Sequence, residues 1–245
     1  MLYKYREFGE YTDKIILNSE LFFATHNSFN DPFDCNLELK RIDDYASIDF
    51  DKHCKALNKT REMLLPGLTE KEYKQWLREE LITKKSKVGI LSMSETKENI
   101  LMWSHYSDNH KGLCFGFSDD LYEGDDITRS KVSYSEDDSY DLISFINPPF
   151  GEIKRMFTIK SKHWKYEEEI RLLDLKNGEG IKKFNKDSLK EIFFGCKADE
   201  VAIKKTIQLC QLNGFIHVEF KKAKLIPGKF ALDFDEINKN DYLEN

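Results

Sequence analysis

HWKYEEEIRLLDL, residues 163–175, decides how the rest of the chain is read. From Tyr166 onward the stretch suits a strand. Successive side chains of a strand point to opposite faces, so Glu167, Glu169 and Arg171 share one face while Glu168, Ile170 and Leu172 share the other. Glutamate and leucine also favour helices, which leaves a helix start as the competing reading. On the strand reading Ile170 and Leu172 point to a core. The opposite face then carries two carboxylates and a guanidinium, and Arg171 can hold one carboxylate bidentately and leave the other for a substrate. A structural salt bridge on a half-exposed sheet is the plainer alternative.

Other segments repeat the strand pattern. LYKYR (2–6), LFFA (21–24), KVGILSMS (87–94), GLCFGFS (112–118), a stretch at 128–135, LKEIFFG (189–195), FIHVEF (215–220) and a short run near 229–233 all read as strands. Helices are expected at 98–109, stopped by Gly112, and at 198–212. Another is expected at about 151–161 after Pro148-Pro149, with Ile153, Met156 and Phe157 on one face, and a short helix or turn at 10–18. Residues 43–85 are charged and helically periodic, in blocks of about 49–64 and 69–85 around Pro66-Gly67. Thr69 followed by Glu72 forms a capping-box pattern, and the region reads as a helical insertion at about 41–86. Strands and helices intermingle without a regular βαβ beat. The expectation is an α+β fold, a mixed or antiparallel sheet with flanking helices, in a single domain over 1–245.

Composition narrows the classes. Of 245 residues, 40% are hydrophobic and 13% aromatic, enough for a core and against disorder. A net charge of -6 argues against non-specific duplex binding, which needs a broad basic face. The five cysteines are odd in number, irregularly spaced and without a CxxC, so free cytosolic thiols are expected and no metal site. MLYKYREFGEY is charged and lacks an apolar h-region, and no apolar run reaches the length of a membrane span. A cytoplasmic location without a membrane partner is expected.

Three polar-aromatic boxes carry the chemistry. In FNDPFD (29–34), Asn30 and Asp31 either bond backbone amides of a turn or point into a pocket, with Phe29 and Phe33 anchoring the loop. In LMWSHY (101–106), Met102, His105 and Tyr106 share a helix face, with Trp103 about a third of a turn away. Such a set can stack on a planar ligand or simply pack as a helix. The third box is HWKYEEEIR (163–171) itself. A phosphoester hydrolase pairing His105 or His163 with Asp31 or Asp34 is a further option.

YKYR (3–6), LFFATHNSFNDPFD (21–34), LMWSHYSDNHKGLCFGF (101–117), KVSY (131–134) and KHWKYEEEIRLL (162–173) occur in an order that resembles the bacterial and phage-borne proteins of domain of unknown function 2971. That family looks like a distant relative of the ADP-ribosyltransferase architecture, with genes often on mobile or phage-defence loci. The resemblance implies NAD as substrate and a protein or nucleic-acid acceptor. It implies Arg6, Thr25 and Glu169 as the basic, hydroxyl and carboxylate members, with Trp103, Tyr106 or Tyr5 stacking and Glu167 competing for the catalytic role. A non-enzymatic module that binds a nucleotide or partner in a defence system is the alternative. Oligomeric state stays open.

Overall fold

The computed structural model describes residues 1–35, 54–55, 58–122, 126–136 and 156–243. Its centre is an eight-stranded, mixed and mostly antiparallel sheet in the order β12-β11-β10-β4-β1-β3-β8-β5. The strands are β1 (Leu2–Arg6), β3 (Gly89–Ser94), β4 (Leu113–Phe117), β5 (Ile127–Lys131), β8 (Glu169–Asp174), β10 (Leu189–Phe194), β11 (Glu219–Leu225) and β12 (Leu232–Ile237). Within this sheet, among the described residues, only β10 and β11 pair in parallel. Two small pairs lie beside it: β2 (Glu20–Phe23) with β9 (Gly180–Lys183), and β6 (Ser133–Ser135) with β7 (Ile159–Ser161). With its flanking helices this is the α+β fold expected.

Helices α1 (Glu10–Asn18) and α5 (Glu200–Leu212) bury Ile15, Ile16, Ile203 and Ile207 in the main core, against Leu91, Met93, Ile170 and Leu172. On the other side α4 (Ile100–Tyr106) packs Met102 and Trp103 against Tyr3, Tyr5 and Phe193. The strand alternation read around Ile170 and Leu172 is therefore correct. In the 41–86 region, α2 (Arg61–Leu64) and α3 (Glu70–Lys85) are helical, Thr69 and Glu72 form the capping box, and Leu64 and Tyr73 pack with Cys54. Residues 41–53 lie outside the described part.

Four expectations need correction. The strand expected from 166 begins at Glu169, because 162–167 form a 3-10 turn (η2, Lys162–Glu167) and Glu168 takes a left-handed conformation with φ 44°. The helix expected over 151–161 gives way at its C-terminal end to β7, while 151–155 lie outside the described residues. FIHVEF is mostly a turn, and β11 starts at Glu219. The anchor expected of Phe33 fails: it is 80% exposed, and Phe29 alone packs inward.

Candidate functional site

β8 is buried along its whole length, on both faces. It lies between β3 and β5, with Ile170 and Leu172 in the main core. Its other face supports an ion cluster. Arg171, fully buried, donates from Nε to Glu169 Oε1 at 2.8 Å and from Nη2 to Asp34 Oδ2 at 2.6 Å. Its Nη1 reaches the Phe157 carbonyl at 2.9 Å and Cys35 Sγ at 3.0 Å. Lys160 Nζ, delivered by β7, meets Glu167 Oε2 at 2.5 Å, Glu169 Oε2 at 3.1 Å and Asp34 Oδ2 at 3.4 Å. The acidic row is thus a sealed lattice, not a half-exposed sheet face.

The two glutamates differ because their neighbours differ. Burial alone would raise the Glu169 carboxyl, but Arg171 and Lys160 override it and hold the group at about 2. Glu167 sits above the usual carboxylate range: burial raises it, and Lys160 and the Tyr106 hydroxyl, donating to Oε1 at 2.6 Å, offset this only in part. Lys160 itself is held strongly protonated, since Glu169, Glu167 and Asp34 outweigh its desolvation.

Glu167 and Glu169 line a cavity of about 120 Å³ with Lys4, Asn30, Asp34, Tyr106 and Lys160, floored by Met93 and Met102. Lys4 was not singled out by its sequence context. β1 pairs with β4 over five residues but with β3 through the single pair Tyr3 and Ser94. The strands splay beyond that pair, and Lys4 Nζ donates across the gap to the Ser92 carbonyl at 2.7 Å. Desolvation lowers Lys4 to about 7, with Arg6 adding to the effect and Glu169 and Glu167 opposing it. A second, outer groove of about 510 Å³ is lined by Lys4, Tyr5, Arg6, His105 and Tyr106 among others. Lys4, Tyr5 and Tyr106 are common walls of the two.

The structure brings together Glu167, Glu169, Tyr5, Asn30 and Tyr106 of the expected site residues. Arg6 and His105 line the outer groove; Arg6 Nε is buried without a hydrogen-bond partner among the described residues, and His105 Nδ1 contacts the Tyr166 hydroxyl at 2.8 Å. Trp103 is fully buried, donates to the Lys97 carbonyl at 2.8 Å and meets Tyr5 edge-on, so it supports Tyr5 and has no face for a ligand. Arg171 lies beneath the cavity and serves Glu169 and Asp34. Thr25 caps a short 3-10 turn outside the cavity lining. Asp31 closes its own turn through the Phe33 amide at 2.9 Å and accepts from Trp164 Nε1 at 2.6 Å. Asp34 is held by Arg171 and His163 contacts Ser161, and among the described residues neither Asp31 nor Asp34 is hydrogen-bonded to His105 or His163. All five cysteines are free. Among the described residues, no helix is long and apolar enough to cross a membrane.

No curated protein and no solved structure matches the chain. Residues 102–172, from within α4 to Leu172 in β8, match the family described as protein of unknown function (DUF2971), the family to which the ordered boxes pointed.

Proposed function

We infer that the inner cavity and outer groove together are the active site of an enzyme that cleaves the N-glycosidic bond of a nucleotide, with NAD as the substrate to test first. The supporting observation is that a cavity bearing Glu167 and a groove bearing Arg6 share Lys4, Tyr5 and Tyr106 as walls. A nucleotide spanning both sets its ribose against Glu167 and Asn30 and its phosphates near Arg6. Positive charge develops on the ribose as the bond breaks, and a fixed carboxylate stabilises that charge. Glu167 takes the role instead of Glu169, because Glu169 is neutralised by two cations, Arg171 and Lys160, whereas Glu167 has Lys160 and the neutral Tyr106 hydroxyl. Transfer of the released ADP-ribose to a protein or nucleic acid, and a place in phage defence, belong to the same reading.

The test is nicotinamide release from NAD by the purified chain, with Glu167→Gln as the control. The variant should stay folded, keep NAD binding and lose turnover by roughly 10²–10³-fold, as when a charge-stabilising group is removed. The saturation of Glu169 by its partners favours a second reading, a nucleotide-binding module without turnover. Calorimetric NAD binding without nicotinamide release selects that module, and neither binding nor release rejects both.

A further inference from the structure

Lys4 is half-buried and is partnered differently from two other lysines of the fold, Lys160 and Lys182. Lys160 is paired with three carboxylates, and Lys182 is paired with Asp174 at 2.7 Å. Lys4 lines the same cavity as Glu167 and Glu169 yet makes no salt bridge with either, and among the described residues its ammonium has one hydrogen bond, to a backbone carbonyl. It stands in the splay between β1 and β3, with the inner cavity and the outer groove both against it.

We propose that Lys4 is an imine-forming amine: the splay is a site for a small, uncharged hydroxyaldehyde or hydroxyketone, captured at its carbonyl carbon. An amine attacks only as the neutral base, and the enclosed position favours that form near neutral pH. With Lys4 neutral, Asp34, Glu167 and Glu169 outnumber Lys160 and Arg171, so the surrounding field is negative and disfavours anionic carbonyl compounds. Asn30 supplies a hydrogen-bonding side chain for a hydroxyl, and a cavity of about 120 Å³ limits the ligand to a few carbons.

The step balances without a redox partner. The Nζ lone pair adds to the carbonyl carbon, and transfer of a proton from nitrogen to oxygen gives the carbinolamine. A proton from solvent passes to the hydroxyl, and water leaves as the C=N bond forms. The iminium then returns that proton to solvent, so the net change is one imine formed and one water released.

The experiment is reductive trapping of the full chain with glyceraldehyde and cyanoborohydride at pH 7, followed by peptide mapping. Fragmentation separates Lys4 from the Met1 α-amine. Label should favour Lys4 over any other lysine by roughly tenfold or more, because ordinary lysines near 10.4 are almost wholly protonated at that pH. Lys4→Met should reduce labelling to the level of the surface lysines. Labelling of Lys4 no greater than that of exposed lysines, or the same pattern before and after unfolding in guanidinium, overturns the proposal. The wild-type map decides the matter even if Lys4→Met fails to fold. It is independent of nicotinamide release, so the nucleotide reading and the imine site stand or fall separately.

Discussion

Glu167 and Glu169 are two residues apart and do different work. Glu169 is the hinge of the ion lattice: replacing it by glutamine leaves Arg171 and Lys160 enclosed with less negative charge. A loss of roughly 3–5 kcal/mol is expected for breaking such a buried pair, read from urea unfolding of Glu169→Gln. Glu167→Gln should cost less, on the order of 1–2 kcal/mol, because Lys160 keeps Glu169 and Asp34. The same shifts set the pH response. The folded-state Glu169 lies near 2 against an ordinary 4.5, so its contribution is complete above 4.5 and is lost as pH falls toward 2. Glu167 shifts the other way and favours the folded state as it protonates, which softens that acid limb. Melts of wild type and Glu169→Gln between about pH 5 and about pH 2.5 should show a flatter limb in the variant. Lys4 acts at the other end. Its folded value near 7 lies below the ordinary 10.5, so the unfolded chain binds more protons between the two and stability rises with pH across that window. Lys85 shifts in the same direction, and the part of the slope that disappears in Lys4→Met belongs to Lys4.

At the scale of elements, α4 and β1 are locked by a close backbone approach. A Cβ added at Gly112 would lie 2.2 Å from the Arg6 carbonyl and 2.8 Å from Ser107 Oγ, contacts that side chains do not tolerate. Gly112→Ala should therefore cost about 1–3 kcal/mol or more by overpacking and should displace the Arg6 end of β1, measured as a lower melting temperature together with weaker NAD binding. Gly112 was read as a helix stop; its reason is this contact, which no local pattern reveals. The Thr69 box, by contrast, was legible because both of its bonds are local: the Glu72 amide donates to Thr69 Oγ1 and the Thr69 amide to Glu72 Oε2. Thr69→Ala should cost about 1 kcal/mol in thermal unfolding of α3. β11 was missed for a physical reason. Phe215, Val218 and Phe220 mimic a strand pattern, but Gly214 turns the chain and His217 donates to the Leu189 carbonyl at 2.9 Å. The real strand is lysine-rich because Lys221, Lys222 and Lys224 pair with Glu191, Glu200, Asp233 and Asp235 on neighbouring elements.

At the scale of the molecule, β1 is a central strand, hydrogen-bonded to β4 on one side and β3 on the other. Removing residues 1–8 exposes two internal edges and takes Tyr3, Tyr5 and Lys4 with them. The shortened chain should fail to form the native sheet, seen as loss of cooperative melting and as aggregation on gel filtration.

The sequence by itself determined the α+β class, most strand positions, the capping box and the resemblance of 102–172 to the family, because alternation, capping and motif spacing are local properties of the chain. Only the tertiary structure decided that Glu169 is spent on Arg171 and Lys160, that Trp103 is packing, and that Lys4 lines a cavity with its ammonium on the Ser92 carbonyl. Those roles depend on which distant charges and backbone edges close around a side chain, and desolvation and pairing are properties of that enclosure, not of the residue's neighbours in sequence.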